Sequence, residues 1–427
     1  MPLPTTRRIV LLATTTGYQT RSFGEAAVRQ GVELVFATDR CHLLDDPWRD
    51  AAIPIRFHRE DESVEALVAA ARRDPIDGLL VVGDRPVVIA ARVAAALGLP
   101  GHPPPAAAAS RDKRRTRDRL AAAGLPVPWF QSAPLDAAAA AMAAAVRFPC
   151  VVKPVALSAS RGVIRADDPA SFVAAFTRLV RLLRSTEIRA LQDPAHDVVL
   201  IEGFIDGREY AVEGILEQGR LHTLAVFDKP DPLDGPFFEE TIYVTPSGLA
   251  DRDRDTVEAA VAAAARALGL HHGPIHAECR VNARGVFVLE VAARPIGGLC
   301  ARSLRFERDG SETVVSLEDL LLRHAGGDPV AGWRRERRAS GVMMIPIPRA
   351  GVYRGVRGLD DARALPGIDG IEITARPDQR LVPLPEGASY PGFIFAHAPE
   401  PAEVTARLRR AHAQLAFDID PALPVLP

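Results

Sequence analysis

Short apolar runs and amphipathic stretches alternate along the first hundred residues. RIVLLA (8–13) reads as a buried parallel strand, followed by a turn containing Gly17, a helix around 22–30 and a second strand, VELVFAT, running to Asp39. A helix near 62–73, the strand GLLVV (78–82) and a helix near 86–97 come next. Strand, helix and strand with short connections make a βαβ unit, so an open α/β domain is predicted here. It lacks a GxGxxG fingerprint and is assigned no dinucleotide.

The pattern then breaks. PGHPPPAAAAS (100–110) is Pro-rich and low in complexity, which marks a linker or domain boundary. Ser110 is the expected cap of a strongly basic helix ending at Gly124, with most of its arginines on a solvated face. An Ala-rich helix (136–146), the strand FPCVVKP (148–154), the small-residue loop ALSASRG (156–162) and a helix near 169–184 follow. VLIEGFIDGREYAVEGILEQGRL (199–221) gives two strands joined across 203–207, and LAVFDKPDPLDGPFFEETIYVTPS (224–247) gives a strand, a loop and a strand. A helix at 254–267 leads to HAECRVNARGVFVLEVAARPIGG (276–298), a hairpin turning near 282–285. The chain closes with short strands and a helix at 403–416. The expected division is 1–107, 108–330 with an internal split near 195, and 331–427, an α/β part joined to α+β parts.

Composition narrows the function. A hydrophobic content of 48% with 25% charged residues is that of an ordinary soluble globular protein. A net charge of −2 points to neither a nucleic-acid nor a membrane-surface partner. Cys41, Cys150, Cys279 and Cys300 are too widely spaced for a CxxC pair or a disulfide framework, which makes a reducing cytoplasm the natural setting. Arg7-Arg8 precedes an apolar run too short for a signal segment, and no stretch reaches membrane-span length. Of 52 Lys and Arg residues only Lys113, Lys153 and Lys229 are lysines. They follow Asp112, Val152 and Asp228, so there is no Gly-Lys-Ser/Thr P-loop. A lysine that survives such a bias is expected where a compact ammonium is needed and a guanidinium fork does not fit.

Four features occur in a fixed order. Lys113 sits on a helix, Lys153 on a strand before a Ser/Gly loop, Glu202 and Glu209 flank a short strand-loop, and Glu278 and Glu290 sit on opposite arms of the hairpin, followed by Arg294. Cations for phosphates and hard carboxylate oxygens for magnesium are what a Mg-ATP site requires. In DKRRTRDRLAAAGLPVP, FPCVVKPVALSASRGV, LIEGFIDGREYAVEG and HAECRVNARGVFVLEVAARPIGG the chain resembles the ATP-grasp superfamily, over roughly residues 1–420.

That resemblance implies an N-terminal α/β pre-grasp domain, two subdomains that clamp ATP, and a C-terminal α+β domain. It implies ATP with Mg2+ (or Mn2+), with Lys113 and Lys153 on the phosphates and a loop carrying Ser158, Ser160 and Gly162 closing over them. Glu202, Phe204 and Ile205 would form the adenine hinge, Glu209 would accept the ribose hydroxyls, and Glu278 and Glu290 would hold the metal. Arg294 would bind the transferred phosphate or a substrate carboxylate, and His276 would be either a structural histidine or a phosphate contact. The amide ligand that relatives carry two residues after the second glutamate is replaced by Ala292. FDKPDPLDGPFFEETIYVTPS with EVAARPIGG is most similar to the L-amino-acid ligase branch, which joins a small-molecule carboxylate to an amine. There Lys229 would contact substrate or phosphate, Glu239 and Glu240 would neutralise an amino group, and Arg302 and Arg305 would shape the pocket. Biotin-carboxylase or purine-biosynthetic ligases, and a nucleotide-binding protein without turnover, are the alternatives. Many relatives dimerise, so a homodimer is one expected assembly.

Overall fold

The computed structural model describes residues 6–14, 19–39, 52–311 and 313–421. The Gly17 turn and Cys41 lie outside them. The N-terminal strands form a parallel sheet in the order Ile53–Pro54, Glu33–Thr38, Arg8–Ala13, Gly78–Val82. Residues 9–13 are all buried, as a strand covered on both faces must be, and the βαβ expectation holds.

The stretch read as a linker is instead the helix Pro104–Arg111. Prolines in a first helical turn surrender only N–H groups that have no partner in any case, and Ala106, Ala107 and Ala109 are buried in the core. The expected boundary at 107/108 therefore falls inside a helix. Ser110 belongs to that helix and donates to the Ala107 carbonyl (2.9 Å). The basic helix is Lys113–Ala122, capped by Asp112, whose carboxylate accepts the Arg115 N–H (2.9 Å). The Ala-rich stretch is helical only over Ala139–Ala143.

Two antiparallel sheets follow. The smaller runs Phe130–Pro134, Val198–Gly203, Cys150–Pro154, Ile164–Ala166, and packs its own core against the helix Pro169–Leu183. The larger has eight strands: Gly285–Ala292, Gly273–Asn282, Arg208–Glu217, Arg220–Asp228, Ile242–Thr245, Ala339–Met344, Gly392–Ala398 and Ile368–Ile373. Its last three strands come from the segment expected to be a separate C-terminal domain, so that boundary is crossed by a continuous ladder from Thr245 to Ser340. The core of the parallel sheet merges with that of the large sheet, through Leu12, Val81 and Ile89 with Val212, Ile275 and Val291. No helix among the described residues is long and apolar enough to cross a membrane.

The chain passes between the two antiparallel sheets at Gly207, where φ is +103° and an added Cβ would lie 2.2 Å from the Val281 carbonyl oxygen. Gly285 in the hairpin turn has a similar φ, +119°, but open space around it. Gly285→Ala is expected to cost about 1–3 kcal/mol from backbone strain, and Gly207→Ala measurably more, because rigid backbone must also move. Urea unfolding of the two variants checks this; equal losses would contradict it.

Candidate active site

A cavity of about 340 Å³ opens where the parallel sheet, the small sheet and the large sheet meet. Val151, Phe204, Leu233 and Phe238 form one apolar patch of its wall, with Phe204 and Phe238 stacked at 6.3 Å. Ile296, Cys300, Met344 and Tyr390 form another. Between them the wall carries charged side chains from several elements.

Glu209, His276, Glu278, Arg280 and Glu290 come from adjacent strands of the large sheet. Period-two alternation puts Glu209 and Glu213 on one face of Arg208–Glu217, and His276, Glu278 and Arg280 on the matching face of Gly273–Asn282. The register pairs Arg280 with Glu209 and His276 with Glu213, while Glu278 faces Glu290 across the hairpin. The Arg280 side chain donates to Glu209 (2.9 Å) and to the Ile205 carbonyl (2.7 Å). Nδ1 of His276 is 3.1 Å from Glu213, which also accepts the Ile296 N–H (3.1 Å). Burial alone lowers the pKa of His276, but hydrogen bonds to Glu213 and Glu278 outweigh it and raise the value to about 9.

The lysines divide between two situations. Lys113 and Lys153 line the cavity. Lys113 contacts Glu290 (3.0 Å) and donates to the Leu157 carbonyl (2.9 Å). Lys153 shares Glu202 with Arg117, a fully buried residue one helical turn after Lys113. Burial pushes the Glu202 pKa up, and Arg117 and Lys153 pull it down to about 2. Burial also lowers Lys153, to about 8. Lys229, by contrast, does not line the cavity. Its ammonium is buried and donates to Glu240 (2.6 Å), Glu209 (2.7 Å) and Glu278 (2.9 Å). Burial opposes the charged form, yet those carboxylates hold its pKa well above the ordinary lysine value. Burial and then repulsion from Glu278 raise Glu240 to about 7.

Arg294 lines the cavity and its fork closes on Asp84 at 2.7 and 3.3 Å, just past the carboxyl end of the parallel strand Gly78–Val82. Ser158 and Ser160 line the cavity, and Ser160 and Ala159 hold left-handed backbone at φ 54° and 55°. Gly162 does not line it; its N–H is given to the Pro385 carbonyl (2.8 Å), away from any anion in the cavity. Glu239 also stays off the wall. Arg302 is exposed and paired with Glu372, and Arg305 is exposed because the next strand residue, Phe306, takes the core-facing position. Neither arginine reaches the cavity wall.

Glu278 and Glu290 thus present hard oxygen donors into the cavity from opposed positions, a donor set that fits a divalent cation of the magnesium type. Arg117, Asp84, Glu213, Arg280 and Tyr243 were not among the expected residues. Tyr243 lines the cavity and its hydroxyl donates to Glu278 (3.2 Å). The four-residue spacing of Lys113 and Arg117 and the alternation in EYAVE and HAECR were the available signals.

Lys229→Met would leave three carboxylates facing one another without the cation they share, only Glu209 and Glu278 keeping other partners in Arg280 and His276. A stability loss of about 3–5 kcal/mol is expected for removing one partner of a buried ionic cluster. The loss should shrink as pH falls through about 7, where Glu240 takes up a proton and relieves the repulsion. Urea unfolding at pH 8 and pH 5.5 reads both effects; a pH-independent loss under 1 kcal/mol would show that the cluster is not ionic.

Comparison with known proteins agrees with this geometry. Residues 146–303 match the ATP-grasp domain, 24–101 the ATP-grasp N-terminal domain and 343–420 the L-amino acid ligase C-terminal domain 2. The chain is similar to the L-amino acid ligase from Bacillus licheniformis, with 26% identity and a TM-score of 0.80 over 97% of this chain and 99% of that one. It is 30% identical to carnosine synthase 1 of Gallus gallus over 75% of this chain and 37% of that protein. It is 27% identical to the alanine–anticapsin ligase of Bacillus subtilis (strain 168), over 56% of this chain and 52% of that protein. The chain spans about half the length of the curated relatives it matches. A biotin carboxylase from Campylobacter jejuni shares the fold, at 17% identity and a TM-score of 0.63 over 96% of this chain and 92% of that one.

Proposed function

We propose that this chain, an ATP-grasp protein by its domains, is an ATP-dependent carboxylate–amine ligase of the L-amino-acid ligase type. The observation that carries the reading is the convergence in one cavity of two lysines, the opposed Glu278 and Glu290, and the guanidinium of Arg294. Val151, Phe204 and Phe238 give an apolar slot suited to adenine, and Glu209 lies on the same wall for the ribose. Lys113 and Lys153 bind phosphate oxygens as point charges. Glu278 and Glu290 would hold Mg2+ or Mn2+, which offsets phosphate charge when bound.

A substrate carboxylate oxygen attacks the γ-phosphorus, the bond to the β-phosphate oxygen breaks, and ADP leaves. The amine nitrogen of the second substrate then attacks the acyl carbon, phosphate departs, and the nitrogen loses its proton. Arg294, now paired with Asp84, would hold the carboxylate or the phosphoryl group once its fork leaves that partner. Glu240, on the wall beside the second apolar patch, is suited to receive the ammonium of an amino acid. Glu239, Arg302 and Arg305 take no part in this reading. Support for the amino-acid branch comes from the C-terminal domain match and from the whole-length likeness to the Bacillus licheniformis enzyme.

One feature favours a second reading, a nucleotide-binding protein without turnover: Ala292, which supplies no amide ligand and is itself buried. A single assay separates the two. Phosphate release from Mg-ATP is expected only with a suitable amino acid present, and hydroxylamine should trap the activated acid as a hydroxamate. Absence of both across the proteinogenic amino acids, alone and in pairs, would contradict the ligase. Lys153→Arg keeps the charge but not the compact ammonium, and is expected to lower kcat/KM at least tenfold, about 1.4 kcal/mol of transition-state stabilisation. Near-normal turnover in steady-state kinetics would refute the point-charge requirement.

A further inference from the structure

We propose that Arg117 is a positioning residue that keeps Glu202 neutralised and in place so that Lys153 is free to transfer its charge to a nucleotide phosphate. The inference rests on the nucleotide site described above and assigns within it a residue that touches neither substrate nor metal.

Among the described residues Arg117 is the largest side chain with no exposed surface. Nε donates to Oε2 of Glu202 at 2.9 Å and Nη2 to Oε1 at 3.2 Å, so the guanidinium claims both carboxylate oxygens. Nη1 donates to the carbonyls of Leu289 (2.9 Å) and Val288 (3.3 Å), on the strand that carries Glu290. One side chain thus joins the helix of Lys113, the strand end that leads into the adenine slot, and the strand of the expected metal ligand. Lys153 approaches the same Oε1 of Glu202.

The result is a buried group of two cations on one anion. Were Glu202 and Lys153 alone, the lysine could reach a phosphate only by abandoning a buried carboxylate, which is strongly unfavourable. With Arg117 present the carboxylate keeps a bidentate partner after Lys153 leaves. Lys153 is therefore the surplus charge of the triad, and of its two cations the one that lines the cavity. The fixed, planar fork of arginine suits this task; the ammonium of lysine cannot span both carboxylate oxygens and the two carbonyls together.

The test is a double-mutant cycle on the full chain, with calorimetric binding of the Mg2+ complex of the β,γ-imido analogue of ATP as the readout. Arg117→Met is expected to weaken binding at least tenfold, because Glu202 then retains Lys153. Adding Glu202→Gln to that variant should restore affinity to within about threefold of Glu202→Gln alone, since nothing holds the lysine back. A purely structural arginine predicts no such rescue. Wild-type affinity in Arg117→Met, or a double variant as weak as Arg117→Met, would overturn the proposal. If Arg117→Met does not fold by circular dichroism, Arg117→Lys and its Glu202→Gln double variant replace it, with the same loss and rescue expected and the same outcomes decisive. Failure of the wild-type chain to bind the analogue would instead overturn the nucleotide site itself.

Discussion

A charge inside a protein must be paired, and in this molecule that requirement is met by partners drawn from different sheets. Glu202 of the small sheet is held by Arg117 of the helix before it, Lys113 of that same helix meets Glu290 of the large sheet, and Arg294 of the large-sheet hairpin meets Asp84 of the parallel domain. Burial strengthens the attraction within each pair while imposing a desolvation cost on both ions, and removing one partner would leave the other charge uncompensated. The ion pairs therefore fix how the three layers sit around the cavity. Apolar burial adds to this where the parallel sheet and the large sheet share a core.

The same pairing makes the site ready for an anion. Lys153, Arg294 and Lys113 are satisfied by carboxylates facing the cavity, and each has an alternative partner in a phosphate or carboxylate ligand. Lys229 is different. It is enclosed by Glu209, Glu240 and Glu278 and serves as an internal counter-ion, holding together three carboxylates that would otherwise repel. Glu278 is shared between that cluster, Tyr243 and His276, so its orientation is set before any metal arrives.

What the sequence made legible follows from local rules. The βαβ order, the hairpin at 282–285 and the places of Glu278 and Glu290 on its opposite arms are consequences of periodicity and turn chemistry, and the structure shows all three; that the two glutamates pair directly is a matter of register. The prolines at 103–105 misled because proline reads as a break, whereas in a first helical turn it costs nothing. Arg117 stayed hidden because its burial depends on Glu202, 85 residues away, while a run of basic residues reads locally as a solvated face. The scarcity of lysine did point to the site, but not to roles: two lysines line the cavity and the third lies behind its wall. The directions of Arg302 and Arg305 were not legible: Arg302 ends exposed in a turn, paired with Glu372, and Arg305 is exposed at the start of the strand Arg305–Arg308, where Phe306 takes the core-facing position.

The central claim is that the cavity's charges pair with one another until a nucleotide takes over part of them. A crystal structure of the chain with Mg2+ and the β,γ-imido analogue of ATP tests it most directly. The predicted result is a phosphate oxygen within hydrogen-bond distance of Lys153 Nζ, with Arg117 still bidentate on Glu202. An analogue bound elsewhere, or bound in the cavity with Lys153 still on Glu202 and no lysine on phosphate, would contradict the account.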